Sequence, residues 1–353
     1  MVEYLKLQQL RRLEKLSQKE MATILGVSQS FYSQLEKGIK DLNLQHKAKL
    51  CEHFDMPISF FEIASREPYI ISLHEGNFYK RASINKSILE SFEAICGLIQ
   101  MVLRQFENHL AANPLPEIGY SNCDPIELSN ELRKFYGLGM QPLDNQSLMD
   151  LIEDAGVYLV PMDFNGAKIY GFSFDNRETN SKVIVYNKHK SANLINFTLA
   201  HELGHLLLHS KTLKDSAEKE KEAHEFAANF LVPEQVFRKY ARNLTAKQFM
   251  NLKSYFHVPI KSLIIRAKDL DIITAERAKY YFIELARLGW NSEEPNPQPM
   301  GKPSMFEDHF VELIDGFENN EEKINNFLGF NYNKYLASGF LNNNVIPFRS
   351  RTS

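Results

Sequence analysis

Apolar residues recur every three or four positions over most of this chain and every second position over one short interval. That pattern predicts a mainly helical protein interrupted by a small sheet. In the first sixty residues Leu5, Leu10 and Leu13 space one apolar stripe. Ser17 followed by Glu20 forms a capping box that opens a helix over 18–25, and Gly26 closes it with a tight turn. Ser28 caps a second helix over 29–36, which stops at Lys37-Gly38. Residues 63–84, with Pro68, Gly76 and a polar run, read as a linker containing a short extended piece. A long stripe (Ile88, Phe92, Ile95, Leu98, Ile99, Val102, Phe106) predicts a helix over about 86–112, facing the core or forming a dimer seam. Asp124-Pro125 with Glu127 starts a helix reaching Tyr136, and residues 144–155 form another, closed by Gly156. The period then drops to two. Residues 157–164, 168–174 and 182–187 are rich in β-branched and aromatic side chains and are separated by turn residues, which predicts a small antiparallel sheet. Helical periods resume at 197–209, 218–230, 252–273, 305–317 and 321–328. Residues 287–303 are rich in Pro and Gly and read as a strap anchored by Trp290; the chain from 342 reads as frayed.

Composition changes this picture little. A length of 353 residues suggests two or three domains, and 44% hydrophobic with 24% charged residues is ordinary for a soluble globular protein. A net charge of −3 does not single out a partner. Cys51, Cys96 and Cys123 are widely spaced, which offers neither a disulfide framework nor a thiolate metal site. No apolar run is long enough to span a bilayer, and the first residues lack a signal-peptide pattern, so a cytoplasmic protein without membrane contact is expected.

The chemistry concentrates in His201-Glu202-Leu203-Gly204-His205. On a helix, positions i and i+4 share a face, so both imidazoles can meet one metal ion. Glu202, one position round, can reach a metal-bound water as a general base. The flanking residues Phe197, Leu199, Ala200, Leu203, Leu206, Leu207 and Leu208 make this a buried helix, where two imidazoles and a carboxylate without partners would be costly. The competing reading is a core helix with stray histidines. A catalytic zinc takes a third protein ligand; Glu218, Glu220, Glu222, His224, Glu225 and His209 all lie within reach in sequence. Tyr170, Tyr186 and His189 are candidates for stabilising an oxyanion, and each has a packing or surface role as its alternative. The sheet beside this helix offers an edge for an extended peptide to add as a strand.

Two helices joined by a short Gly-containing turn form the helix-turn-helix pattern. The stretch LSQKEMATILGVSQSFYSQLEKG, with the later LCEHFDMPISFF, resembles the DNA-binding domain of the Xre/Cro/lambda-repressor class over roughly residues 1–62. The resemblance implies that helix 29–36 enters the major groove, with Gln29, Ser30, Tyr32 and Ser33 on its exposed face. Gln18 at the preceding helix N-terminus would suit a phosphate, and Ser28 at the cap is a further DNA-binding candidate. Residues 1–61 hold nine Lys or Arg against seven Asp or Glu, a net of +2 and mild for a DNA binder. The alternative is a head of this fold that binds protein.

FTLAHELGHLLLH followed by EKEAHEFAANFLVP resembles the ImmA/IrrE family of metallopeptidases over about residues 150–270. The resemblance implies a zincin-like domain with Zn2+ held by His201, His205 and Glu220, Glu222 being the fallback third ligand. His224 stands where the family usually has Asp or Asn, and His209 reads as a supporting residue. The expected fold class is α+β, mainly α: a helix-turn-helix bundle (1–64), a linker (65–84), a metallopeptidase domain (85–273) and a helical C-terminal region (274–353). The expected function is a DNA-binding regulatory zinc metallopeptidase that cuts a repressor or antitoxin, with Glu202 activating the water. The alternative is a transcriptional regulator or antitoxin whose peptidase-like domain senses or binds without proteolysis. The expected partners are operator DNA, a protein substrate and a second copy of the chain.

Overall fold

In a computed structural model, residues 3–62, 77–78, 86–106, 123–164, 169–176, 181–209, 216–242, 244–318 and 320–337 are described. The head comprises α1 (Glu3–Leu13), α2 (Gln18–Leu25), α3 (Gln29–Glu36), α4 (Leu44–Phe54) and α5 (Ser59–Glu62). Both hydrogen bonds of the capping box between Ser17 and Glu20 are present, and Gly26 ends α2 at φ 75°, a left-handed conformation that costs glycine little. Ser28 caps α3 through the amide of Phe31 at 3.1 Å. Of the linker, only β1 (Asn77–Phe78) is among the described residues.

Next come α6 (Lys86–Gln105), α7 (Pro125–Phe135), α8 (Asn145–Asp154), β2 (Val157–Met162), β3 (Gly171–Asn176) and β4 (Ser181–Asn187). The expected continuation of the long helix to 112 and the frayed end from 342 lie outside the described residues. Strands run in the order β1-β3-β4-β2. β3 pairs antiparallel with β1 and β4, whereas β2 pairs parallel with β4, Val157 against Lys182 through Met162 against Asn187. The sheet is therefore mixed. A meander was the natural expectation for three closely spaced strands, but periodicity is the same for parallel and antiparallel neighbours and leaves strand order open.

The sheet divides the apolar interior in two. Tyr158, Val160, Phe172, Phe174, Val183 and Val185 face a core shared with α6 and the head, including Leu7, Leu10 and Phe60. Val157, Leu159, Ile184 and Tyr186 face the second core. That core is built with α7, α8, α9 (Ala192–Leu208), α10 (Ser216–Leu231), α11 (Glu234–Tyr240), α12 (Ala246–Phe256), α13 (Ile260–Asp269) and α14 (Ala275–Arg287). Last, α15 (Met305–Asp315), α16 (Glu321–Leu328) and a π-helical turn (Asn333–Ala337) return to the head side.

The head is joined to the rest through α1. Lys6 is 1% exposed, its Nζ 3.3 Å from Met101 Sδ and 5.0 Å from the centre of the Phe60 ring. Gln9 donates to the Ala94 carbonyl at 3.2 Å, and Arg12 pairs with Glu93 at 3.3 Å. The C-terminal turn holds the head from the other end: Lys334 meets Glu14 at 2.7 Å and Asn331 donates to Asp55 at 2.6 Å.

The strap expected at 287–303 is tied down by buried polar groups. Lys253 donates to the carbonyls of Pro295 and Asn296, and Glu294 accepts the Ile260 amide at 3.0 Å. Asn145 accepts the Gly301 amide at 2.7 Å. Beyond the strap, Glu153 accepts the amides of Ser304 and Met305, both at 3.0 Å, and so satisfies backbone donors at the start of α15. Burial raises its carboxyl to about 7, against the lowering effect of those two amides. Trp290 packs half-buried against the second core, as its anchoring role requires.

Candidate functional site

Helix α9 is buried along nearly its whole length, which follows from apolar residues on all of its faces. Gly204 lets α10 cross closely: a Cβ there would lie 2.9 Å from Phe226 Cδ1 and 3.3 Å from Ala223 Cα. This close crossing carries Glu220, on the first turns of α10, up to the two histidines of α9. His201 Nε2 lies 3.3 Å from Glu220 Oε2, His205 Nε2 lies 3.2 Å from Glu220 Oε1, and the two Nε2 atoms are 3.1 Å apart. One ligand atom from each of the three residues falls within 4.8 Å of the others.

Burial sets the electrostatics. His205 is fully buried, and desolvation lowers its pKa to about 4 despite the raising effect of Glu220, so it is neutral and has a lone pair to offer. Burial works to raise the Glu220 carboxyl, but the neighbouring His201 and His205 outweigh it and bring the pKa down to about 2. Glu202 is 1% exposed; burial pushes its carboxyl well up, the Ser173 hydroxyl opposes this, and the charge of Glu220 adds to it.

Ser173 was not among the expected site residues. Its Oγ donates to Glu202 Oε2 at 2.8 Å. The signal was present in Gly171-Phe172-Ser173-Phe174: a small polar residue between two aromatics on a strand must face opposite to them, here toward α9. Gly171 brings β3 close over that helix, since a Cβ there would lie 2.7 Å from Thr198 Cγ2. On its outer side β3 carries β1, with Asn77 opposite Ser173, so among the described residues the edges of the sheet are β1 and β2.

The remaining candidates separate cleanly. Glu222, the fallback ligand, turns to His209 at 2.9 Å, away from the pair His201 and His205. His209 Nδ1 lies 3.0 Å from His205 Nδ1. His224 is half-buried against Phe197, ring centres 5.1 Å apart, and burial followed by the charge of His201 lowers its pKa. Tyr186 is a buried core residue, His189 pairs with Asp163 at 3.2 Å, and Tyr170 has Lys190 over its ring at 5.7 Å.

In the head, Gln29 and Ser30 are exposed on α3, Ser33 is half-buried and Ser28 serves as the cap. Tyr32, expected on the exposed face, is instead wholly buried among the core residues of the head. Its position one turn before Leu35 and Glu36, both buried, places it on the inward side. Gln18, expected at a phosphate, donates its amide to the Glu36 carboxylate, which also holds Arg11 at 2.6 Å. Lys15, Lys19, Lys37, Lys40 and Lys49 remain exposed around α2, α3 and α4.

Comparison with curated proteins finds no match. Among family profiles, one described as helix-turn-helix matches residues 7–61, and a peptidase profile described as IrrE N-terminal-like domain matches residues 152–268. The first covers α2 and α3 with their neighbours; the second runs from α8 through the sheet, α9 and α10 to α13 and so contains the His201, His205 and Glu220 cluster. The chain thus joins a helix-turn-helix DNA-binding domain to a peptidase-family domain of the IrrE N-terminal-like type.

Proposed function

We propose that this chain is a DNA-binding regulatory metallopeptidase that hydrolyses a peptide bond in a regulator protein, a repressor or antitoxin, in the cytoplasm. The observation that carries the reading is the convergence of His201, His205 and Glu220 beside the buried carboxyl of Glu202. In the division that goes with it, residues 1–64 read DNA, 65–84 link, 85–273 hold the peptidase and 274–353 complete the helical cover.

The three side chains fit a zinc ion. Two imidazoles and one carboxylate are a donor set that catalytic zinc takes. One carboxylate oxygen faces each imidazole at 3.2 to 3.3 Å, and one ligand atom from each residue lies within 4.8 Å of the others, near enough for one ion to take donors at about 2 Å. Glu220 Oε2 is buried with His201 Nε2 3.3 Å away and no well-aligned hydrogen bond, an arrangement that a cation would satisfy. Manganese and iron suit the same donors. Bound there, zinc would supply a Lewis acid that polarises the scissile carbonyl and brings the pKa of water to about 7. Glu202 takes the proton from the attacking water and passes it to the leaving amine. Ser173 fixes one of its oxygens and leaves the other for the proton, while burial keeps the carboxyl basic enough to accept it.

The head supports recruitment to DNA. Its helix α3 keeps Gln29 and Ser30 in solvent while α1 docks on α6, so base contact and attachment use different surfaces. The test is purified protein assayed for bound metal and for cleavage of candidate repressors, starting with the regulator encoded beside it, with Glu202→Gln as the control. Bound metal and a cleavage product lost in that variant support the proposal. A wild-type protein that cuts nothing while DNA binding and cellular phenotype survive in the variant would leave the second reading, a regulator with a sensing domain. The core shared by the head and the sheet favours that reading.

A further inference from the structure

Behind the three candidate ligands lies a second row of polar groups that the proposed hydrolysis does not use. His205 Nδ1 lies 3.0 Å from His209 Nδ1, and His209 Nε2 lies 2.9 Å from Glu222 Oε2. His205 is wholly buried, His209 is 4% exposed, and the Glu222 side chain is 15% exposed. Two imidazole nitrogens at hydrogen-bond distance share one proton, and rings this deeply buried take their partners from the protein.

We propose that Glu222, acting through His209, is a positioning device that selects which nitrogen His205 offers to the metal. The inference rests on the reading of His201, His205 and Glu220 as a metal centre. The carboxylate of Glu222 only accepts, so it requires a proton on His209 Nε2. With that proton on Nε2, the Nδ1 of His209 is left to accept from His205. The proton of His205 is thereby held on Nδ1, and its Nε2 lone pair points at His201 and Glu220. The opposite arrangement places a lone pair of His209 against a carboxylate and a proton on His205 Nε2, inside the ligand cluster. One charged group on α10 thus sets the protonation of two rings on α9. A hydrogen bond on the non-ligating nitrogen also raises the basicity of the ligand, and losing such a partner typically weakens metal binding by about 10- to 100-fold.

The test uses the full chain and zinc itself. Zinc affinity is measured by competition with a chelator for the wild type, His209→Leu, His209→Gln, Glu222→Leu and the double Leu variant. His209→Leu and Glu222→Leu should each weaken zinc binding by about 10- to 100-fold. The double variant should be no weaker than the worse single one, because the two act in series. His209→Gln, whose amide can accept from His205 and donate to Glu222, should recover most of the affinity. Affinities within twofold of wild type, or losses that multiply in the double variant, overturn the proposal. Where the Leu variants fail to fold, nitrogen NMR of histidine-labelled, zinc-loaded wild type decides. His209 protonated at Nε2 and His205 at Nδ1 supports the proposal; His209 protonated at Nδ1 overturns it. A wild type that binds no zinc removes the metal centre itself, a result distinct from unaltered affinity in the variants.

Discussion

Helices α9 and α3 carry the residues to which the proposed function assigns its chemistry and its base contacts, and they hold them in opposite ways. In α9 the polar groups are buried, so each must find a partner or become costly. Around the histidines those partners are fixed: Glu220 for His201 and His205, Ser173 for Glu202, Glu222 for His209, whereas the Asn193 amide is buried without a hydrogen bond among the described residues. In α3 the polar groups that would read DNA stand in water, which satisfies them in any orientation. Structure constrains only the inward side of that helix, where Tyr32, Leu35 and Glu36 are packed. A buried site declares its chemistry before its ligand arrives, whereas an exposed one declares only its attachment.

The sharpest way to break this comparison is at the base. Glu202→Gln should lower cleavage by about 10²- to 10⁴-fold while zinc content stays that of wild type, measured by metal analysis and peptide cleavage on the same preparation. Loss of zinc together with activity would mean that Glu202 helps hold the metal. The next effect lies in the crossing of α9 and α10. Gly204→Val should destabilise the protein by roughly 1–3 kcal/mol and weaken zinc binding, since the added carbons meet Phe226 and Ala223 and move Glu220 away; denaturant unfolding and zinc titration read the two effects.

On α3, Gln29→Ala should cost roughly 1–3 kcal/mol in operator affinity if that side chain makes a bidentate base contact. Tyr32→Phe should leave operator preference unaltered because the ring faces inward. Binding isotherms on one operator at fixed salt compare the two, and a larger loss for Tyr32→Phe would reverse the assignment.

The most gradual effect concerns the seat of the head. Burial, followed by the nearby charge of Arg104, lowers Lys6 to about 7. Between about 7 and the ordinary lysine value near 10.4 the unfolded chain holds a proton that the folded one does not, so stability rises with pH across that window. Below it both states are protonated and the cost of burying the charge is fully present. The slope is at most about 1.4 kcal/mol per pH unit. Lys6→Met should flatten it and stabilise the protein at neutral pH, as read by melting curves from pH 6.5 to 9; an unaltered slope would place its origin elsewhere.

What could be read from the sequence follows the same division. The capping box at Ser17 and Glu20 and the pairing of His201 with His205 rest on local helical geometry, in which three or four residues of spacing decide what can meet, whereas Glu220 comes from the resemblance to the metallopeptidase family. The strap at 287–303 was legible from its Pro and Gly content. Ser173 lay outside that reach because its partner is 29 positions away, although the alternation around it was visible. The inward turn of Tyr32 depends on which face of a short helix the neighbouring helices cover, and the parallel pairing of β2 with β4 on strand order. The head showed a net charge of +2 in sequence, yet Lys6 is buried and Arg11, Arg12 and Lys47 are engaged in ion pairs, so composition alone misstates the charge it presents.

The alternation in β3 also limits how this protein can change its length. Phe172 and Phe174 belong to the core that seats the head, and Ser173 between them belongs to the buried carboxyl of Glu202. Inserting or deleting a single residue inside the strand would reverse these assignments, turning an aromatic ring onto Glu202 and a hydroxyl into the core beneath α6. Changes of length that keep both assignments are therefore confined to residues outside the strand, and a different head grafted onto this sheet would have to match two aromatic rings as well as the connecting chain.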